Sequence, residues 1–158
     1  MPIPVSELHR IYGVQAHGVL HVGAHEAEES AAYKSRSWGP VIWVEMLPDK
    51  FEYLKNRFMS DPDNVVLHAA CWNTDRAELP IYRANNGRSS SLLPPDRHLT
   101  THPNVTFFID ASIFTSRLET LLPKTAKFDF INFDIQGAEL RALRGLGAFF
   151  RAGEVGVS

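Results

Sequence analysis

The sequence predicts an α/β fold, a doubly wound sandwich in which helices cover both faces of a mostly parallel β-sheet. Segments with the character of buried strands recur along the chain, at residues 19–22, 41–45, 65–68 and 128–134. Segments with helical spacing alternate with them, at residues 26–38, 49–58 and 138–146. Strands that are apolar on both faces and alternate with helices are typical of parallel sheets.

The remaining amino-terminal elements follow from capping and stop signals. A first helix is predicted at about residues 5–13, with the hydroxyl of Ser6 as its N-cap. Gly39 and Pro40 are expected to end the helix of residues 26–38, because neither residue type continues a helix well.

In the second half of the chain the pattern changes from buried strands to polar alternation. Residues 77–84 alternate and contain a proline, which indicates an edge strand, and residues 105–114 are expected to form another strand. Ser116 and Glu119 fit a capping box that opens a short helix. A last strand is expected to begin at residues 154–157.

Length and composition bound the class of protein. A chain of 158 residues is expected to form one domain with a real core, and its 44% apolar and 22% charged residues are ordinary for a globular protein. A net charge of −2 offers no basic surface for nucleic acid or for a membrane. Cys71 is the only cysteine, which rules out an intrachain disulfide and a cysteine-cluster metal site. Without a signal pattern or an apolar run of 18 residues, we expect a cytoplasmic protein with no membrane span.

In doubly wound sheets, ligands bind beyond the carboxyl ends of the strands, near the point where the strand order reverses. That rule selects four short segments, which are residues 23–26, 45–46, 69–72 and 134–137. The candidate functional residues of this chain are therefore expected in these segments.

Glu45 ends its strand 22 residues after Gly23, a spacing that suits a carboxylate holding the two ribose hydroxyls of a nucleoside. The alternative is a solvated glutamate at a strand end. A dinucleotide loop would carry two further glycines, and the nearby Glu26, Glu28 and Glu29 would repel a diphosphate. A cofactor without phosphate, such as S-adenosylmethionine, fits better, because carboxylates suit its ammonium and sulfonium groups.

Three histidines flank this turn, at His17, His21 and His25. Their spacing of four residues would place them on one face of a helix, where they could bind a metal. His21 lies inside a predicted strand, so the three cannot share a helical face and no metal is expected. His25 lies in the loop itself and is a candidate contact for cofactor or substrate.

Several motifs together resemble one family. The segments "HVGAHEAEE", "WVEMLPDKFEYL", "HAACWN", "NGRSSSLL" and "FDFINFDIQGAELRALRGL" resemble FkbM-type S-adenosylmethionine-dependent methyltransferases. The resemblance extends over residues 18–158, and its most specific element is "DIQGAEL", which begins at Asp134. The resemblance implies a Rossmann-like methyltransferase fold and the methylation of hydroxyl groups on sugars, glycolipids or secondary metabolites.

The resemblance also assigns roles to individual residues. The cofactor-binding residues it implies are Gly23, Ala24 and His25 for the methionine part, Glu45 for the ribose, Met46, Ala70 and Cys71 beside the adenine, and Asp134 and Gln136 facing the methyl donor. Asp134 is the candidate general base, with a purely cofactor-orienting carboxylate as the alternative. The expected acceptor contacts are Arg88, Ser90 and Ser91, in a loop for which a flexible linker is the alternative interpretation, together with Glu139, for which a structural role is the alternative.

The sequence departs from the family pattern in three places. His21 stands where many methyltransferases place an acidic residue, and Ala27 stands where the family usually has a second glycine, so that a Cβ could crowd the loop. The chain also stops at Ser158, inside the fifth strand, so we expect the last part of the fold to be missing. Either the sequence is a fragment, or its exposed sheet edge pairs with another copy or with a partner.

Three functions remain open from the sequence. An O-methyltransferase is favoured. A non-catalytic domain of the same fold is the second reading, motivated by Ala27 and the shortened end. A nicotinamide-dependent oxidoreductase is the third, and the missing glycines and acidic first turn argue against it.

Overall fold

The computed structural model describes residues 3–85, 90–94, 105–147 and 149, which divide into two compact units. The first unit comprises the described residues as far as His68 together with Ala126–Asn132, and the second comprises those of Ala69–Thr125 and Phe133–Ala152. In chain order the described elements are α1 (Val5–Tyr12), β1 (Val19–Val22), α2 (Ser30–Lys34), β2 (Val41–Glu45), α3 (Pro48–Arg57), β3 (Asn64–His68), β4 (Ala70–Cys71), β5 (Glu78–Ala84), β6 (Phe107–Ser116), α4 (Leu118–Leu121), β7 (Phe130–Phe133) and α5 (Glu139–Arg144).

The sheet of the first unit has the strand order β3-β2-β1-β7. β1 runs parallel to β2 with Val19 opposite Val41, and β2 runs parallel to β3 with Val41 opposite Asn64. The chain first moves outward from β1 to β3, and its later strand β7 takes the other side of β1. This reversal of strand order beside β1 is the switch point of a doubly wound sheet, which confirms the predicted fold class.

Apolar strands and an aromatic cluster form the core of the first unit. All four residues of β1 are buried, and Trp43 of β2 is fully enclosed. Its ring stacks on Phe58 at 5.6 Å between ring centroids, while Leu54 of α3 is equally buried beside it. Burial of an apolar side chain of this size stabilises a fold by roughly 1.5–3 kcal/mol, so these contacts hold α3 against the sheet.

The predicted helix of residues 26–38 is wrong in its extent, because α2 covers only Ser30–Lys34. His25 and Ala27 adopt left-handed backbone conformations, with φ angles of 47° and 56°. A helix cannot pass through such residues. The segment between β1 and α2 is therefore a loop of irregular structure rather than the first turns of a helix.

The first helix has about the predicted bounds, but its predicted cap is wrong. α1 starts at Val5 after Pro4, and no side chain caps it, so Ser6 lies within the helix instead of at its N-cap. The helix ends as the residue types suggest, with Gly13 in the left-handed conformation at φ 65°.

The second unit contains a three-stranded sheet of order β4-β6-β5. β5 pairs antiparallel with β6 on one edge, and the short β4 pairs parallel with β6 on the other. The predicted edge strand is confirmed, and Pro80 lies within it.

The predicted capping box is wrong, because Ser116 belongs to β6, where it is paired with Cys71. The carboxylate of Asp75 serves the start of α4 instead, accepting hydrogen bonds from the backbone N–H of Arg117 at 2.7 Å and from the hydroxyl of Thr120 at 2.9 Å. A carboxylate more than 40 residues away replaces the local cap, which a sequence pattern cannot reveal.

The bounds of four further elements agree with the prediction. Strands β1 and β2 have the predicted bounds, and α3 and β3 lie within one residue of theirs. The last predicted strand, at residues 154–157, lies outside the described residues. Of the helices in the described ranges, the longest is α3 with ten residues, and none could cross a membrane.

Ala27 allows a test of the backbone conformation of the loop. Its methyl group is fully buried, yet its left-handed backbone costs an alanine about 1–2 kcal/mol relative to a relaxed residue. Ala27→Gly loses about 0.8 kcal/mol of methyl burial and relieves that strain, so we expect a change of less than about 1 kcal/mol in unfolding free energy, measured by urea denaturation.

Ala142→Gly is the matched control, because Ala142 is just as buried but lies in the regular helix α5. It should lose both methyl burial and about 1 kcal/mol of helix propensity. Equal losses for the two variants would show that the conformation of Ala27 carries no strain.

Candidate active site

The loop after β1 is anchored on the end of β2. Gly23 has a φ of 87°, a conformation that favours glycine, and its N–H donates to the carbonyl of Val44 at 2.9 Å. The N–H of Ala24 donates to the same carbonyl at 3.1 Å. The turn that follows the first strand is therefore fixed directly beside the strand that ends in Glu45.

Glu45 joins this loop through its side chain. One carboxylate oxygen accepts a hydrogen bond from the N–H of His25 at 2.7 Å, and the other accepts from the N–H of Leu47 at 2.8 Å. The side chain is only 5% exposed, and this burial raises the pKa of the Glu45 carboxyl above its usual range. The structure thus brings together Glu45 and the Gly23 turn, and the N–H of Met46 is a third backbone donor to the same carboxylate.

The acidic side chains of the loop all interact within the first unit. Glu26 accepts from the ammonium of Lys50 at 2.5 Å, which holds the pKa of the Glu26 carboxyl below its usual range. Glu28 lies 2.8 Å from Nδ1 of His25. Arg57 also donates to the carbonyl of Glu26. Lys50 and Arg57, both from α3, therefore hold the loop against that helix and offset part of its negative charge.

Ala24 and Ala27 lie with their methyl groups in the apolar core, at 1% and 0% exposure. Both backbone polar groups of Ala24 are also bonded, its N–H to Val44 and its carbonyl to the N–H of Ala27 at 2.7 Å. Ala24 therefore fixes the loop through its buried methyl group and its backbone hydrogen bonds. Its role as a residue that lines a cofactor stays a prediction. The Cβ of Ala27 points into the core of the unit.

His68 is a residue of this region that the sequence did not single out. It lies opposite Glu45 in the register of β2 and β3, its Nε2 is 3.0 Å from the carbonyl of Met46, and its exposed ring stacks on Phe51 at 4.9 Å. The predicted adenine neighbour Met46 is half-buried beside it. The register of β2 and β3 brings His68 beside Glu45 and Met46. The position of His68 at the end of the third strand could have indicated a place near the site.

The three histidines that flank β1 have separate partners. His17 lies 2.9 Å from a carboxylate oxygen of Asp129, His25 contacts Glu28, and His21 is buried against Tyr33. Among the described residues, no group of three or more histidine, cysteine, aspartate or glutamate side chains is placed to hold a metal ion.

In the second unit, a tight turn carries the most specific motif of the sequence. Gln136 has a left-handed backbone with φ 53°, and its amide donates to the carboxylate of Asp134 at 3.0 Å. The carboxylate of Glu139 accepts from the N–H groups of Ile135 at 3.2 Å and Gly137 at 3.0 Å. Glu139 therefore stabilises the turn, while Asp134 is exposed beyond the end of β7.

The predicted acceptor residues of the serine run are tied into the same unit. Ser91 is 5% exposed, and its hydroxyl donates to the carbonyl of Gln136 at 3.1 Å. The hydroxyl of Ser90 accepts from the N–H of Ala84 at 3.3 Å. Their contact with an acceptor stays a prediction, and Arg88 lies outside the described residues.

Ala70 and Cys71 form β4 and are buried, at 1% and 5% exposure. The Cys71 thiol belongs to the interior of the second unit, in agreement with its interpretation as a small apolar side chain. The place of both residues beside an adenine stays a prediction.

A groove of about 560 Å³ lies in the first unit at the opposite ends of the strands. It is bordered by Val41 and Asn64, the first residues of β2 and β3. Of the predicted site residues that the structure describes, none lines it. Ligands of doubly wound sheets bind at the carboxyl ends, so we place the candidate site at the Gly23 turn and Glu45 instead.

A doubly wound sheet, a glycine turn and a buried carboxylate at the end of the second strand together define a class of nucleoside-binding α/β domains. The model of one family, the methyltransferase FkbM domain, matches residues 21–157. The chain therefore belongs to the FkbM methyltransferase family, as the motifs predicted.

Among solved structures, the chain is similar to methyltransferase FkbM from Methylobacillus flagellatus KT, with a TM-score of 0.54 and 18% sequence identity. The match covers 96% of this chain and 34% of that chain, so this sequence spans about a third of its structural neighbour. At this identity the likeness supports the fold. The comparison with curated proteins found no match.

The burial of His21 makes the unfolding free energy depend on pH. Burial lowers the pKa of its imidazole from 6.5 to about 4, with the charge of Glu28 and the backbone of Gly23 opposing the shift. The unfolded chain therefore takes up a proton near pH 6.5 and the folded chain only near pH 4. The unfolding free energy should fall as pH drops between these values, by roughly 3 kcal/mol in total at about 1.36 kcal/mol per unit.

His21→Leu should flatten this dependence in urea titrations from pH 7 to pH 4. His17→Gln, which removes an exposed imidazole, should retain the part of the slope that His21 produces. An unchanged slope in His21→Leu would show that His21 is not buried in its neutral form.

Proposed function

We propose that this chain is an S-adenosylmethionine-dependent O-methyltransferase domain whose acceptor is a hydroxyl group of a sugar, a glycolipid or a secondary metabolite. The observation that supports it most is the buried carboxylate of Glu45, bonded to the N–H of His25 beside the Gly23 turn. Family membership supplies the reaction class.

The residues of the first unit suit a nucleoside without phosphate. A carboxylate has about four acceptor sites, more than the backbone donors of Glu45 occupy, so it can also accept from the ribose. Hydrogen bonds to a carboxylate are charge-assisted and strong. The loop carries Glu26, Glu28 and Glu29, which disfavour a diphosphate. Glu26 is paired with Lys50, whereas Glu28 and Glu29 face histidines, so the loop keeps negative charge that suits a cationic amino-acid end.

The cofactor, when bound, supplies a methyl group on a sulfonium, which is already a good leaving group. The protein then needs to align the acceptor and remove its proton. Asp134 is the proposed base, because its carboxylate is exposed at the end of a strand and is oriented by the amide of Gln136. It would take the hydroxyl proton as the acceptor oxygen becomes methylated.

A domain that keeps the fold without catalysis is the second candidate. Ala27 occupies a left-handed position that favours glycine, and both oxygens of Glu45 already have partners within the unit. Such a chain would bind the cofactor weakly or without turnover.

Calorimetric titration of the full chain tests the proposal. We expect binding of S-adenosylmethionine and S-adenosylhomocysteine and no binding of NAD. Tight NAD binding without binding of either sulfur compound would overturn the proposal, and binding without turnover would favour the non-catalytic domain.

Glu45→Ala should weaken S-adenosylmethionine binding by roughly 1–3 kcal/mol, the scale of hydrogen bonds to a charged group. Glu45→Gln keeps one acceptor for the loop and should lose less. Glu52→Gln on the exposed side of α3 is the control and should bind as the unaltered chain does. Unchanged affinity in Glu45→Ala would show that Glu45 only holds the loop.

Asp134→Asn should lower turnover by about 10²- to 10⁴-fold, the usual contribution of a general base. The assay is release of S-adenosylhomocysteine over a panel of glycosides and hydroxylated lipids. Asp110→Asn, an exposed change in the same unit, is the control. Weaker cofactor binding with unchanged turnover would assign Asp134 an orienting role instead.

A further inference from the structure

A buried chain of hydrogen bonds connects three elements around the switch in strand order. Nδ1 of His21 in β1 lies 3.1 Å from the hydroxyl of Tyr33 in α2. The side-chain amide of Asn132 in β7 donates to the same hydroxyl at 3.1 Å. His21 and Tyr33 are only 2% and 1% exposed, so these polar groups satisfy one another away from water.

The directions of these hydrogen bonds can be assigned from the donors available. The amide nitrogen of Asn132 only donates, so the Tyr33 oxygen is an acceptor there. Its single O–H has Nδ1 of His21 as the acceptor at 3.1 Å, and because buried polar groups are hydrogen-bonded, we assign Nδ1 as the unprotonated nitrogen. The proton of His21 is placed on Nε2, which faces a carboxylate oxygen of Glu29 at 4.0 Å.

The three residues occupy defined places relative to the candidate site. His21 precedes Gly23 by two residues, and Tyr33 follows the end of the loop on α2. Their hydrogen bond therefore joins the two ends of the loop of residues 23–29. Asn132 precedes Asp134 by two residues in the sequence.

The loop needs such a constraint because its backbone is strained. His25 and Ala27 are non-glycine residues with left-handed φ angles of 47° and 56°, a conformation that L side chains disfavour. Strained residues persist only where their surroundings over-determine them. In this conformation of the loop, the N–H of His25 donates to Glu45.

We propose that Tyr33 and His21 are positioning residues, whose hydrogen bond holds the loop of residues 23–29 in the conformation that binds the cofactor. The expected effect of these residues on S-adenosylmethionine affinity rests on the proposed function. The effect of the hydrogen bond on the loop is independent of any ligand.

Tyr33→Phe removes only the hydroxyl and keeps the ring that packs against Trp38 and Trp43. In the cofactor-free chain, the backbone amides of His25 and Ala27 should exchange hydrogen about tenfold faster, the effect of losing one buried hydrogen bond of about 1.4 kcal/mol. The nitrogen chemical shifts of His21 should depart from those of an Nε2–H tautomer. Affinity for S-adenosylmethionine should fall by a similar factor.

Two comparisons separate positioning from general stability. Leu54→Val destabilises the same core without touching the network, and should leave loop exchange and affinity unchanged. The triple variant Tyr33→Phe, His21→Leu, Asn132→Leu replaces all partners by apolar groups and should regain stability but not affinity. Recovery of affinity together with stability would overturn the proposal.

The outcomes also distinguish this inference from the proposed function. Failure of the unaltered chain to bind S-adenosylmethionine would overturn the proposed function. The hydrogen-exchange and tautomer measurements would still report on the hydrogen bonds of His21, Tyr33 and Asn132. Unchanged loop exchange and unchanged His21 shifts in Tyr33→Phe would overturn the positioning role whatever the cofactor result.

Discussion

The carboxylate of Glu45 is buried at the end of β2 and accepts hydrogen bonds from two different turns. One comes from the loop after β1 through the N–H of His25, and the other from the start of α3 through the N–H of Leu47. A buried carboxylate is costly unless its oxygens are hydrogen-bonded. The positions of both turns relative to β2 therefore depend on this one group, and so does the candidate site.

The loop after β1 shows how a chain can keep an irregular conformation where glycine would be the easier choice. His25 and Ala27 hold left-handed angles, and the energy that opposes them is offset by contacts on several sides. Glu45 binds the backbone, Lys50 and Arg57 reach it from α3, and His21 with Tyr33 joins its ends. The departures from the family pattern at His21 and Ala27 thus fit into the interior of the first unit.

In the second unit the same principle applies to the motif that identifies the family. The turn between Asp134 and Glu139 combines a left-handed glutamine with two backbone N–H groups held by one carboxylate. Ser91 binds the carbonyl of Gln136 and so ties the serine run to this turn. Two motifs that are distant in sequence are therefore parts of one local structure.

The sequence by itself determined the strands β1 and β2, the helix α3 and the doubly wound class, because apolar periodicity and stop signals are local properties of the chain. It also selected the glycine turn and Glu45 for the same edge of the sheet, since both follow the carboxyl ends of neighbouring strands. The hydrogen bond between them came from the structure. Only the tertiary structure decided the true start of α2, the cap of α4 from Asp75 and the internal pairing of the loop glutamates. The cap from Asp75 and the pairing of Glu26 with Lys50 depend on partners far away in the sequence, which a local pattern does not contain. The start of α2 follows from the left-handed backbone of His25 and Ala27.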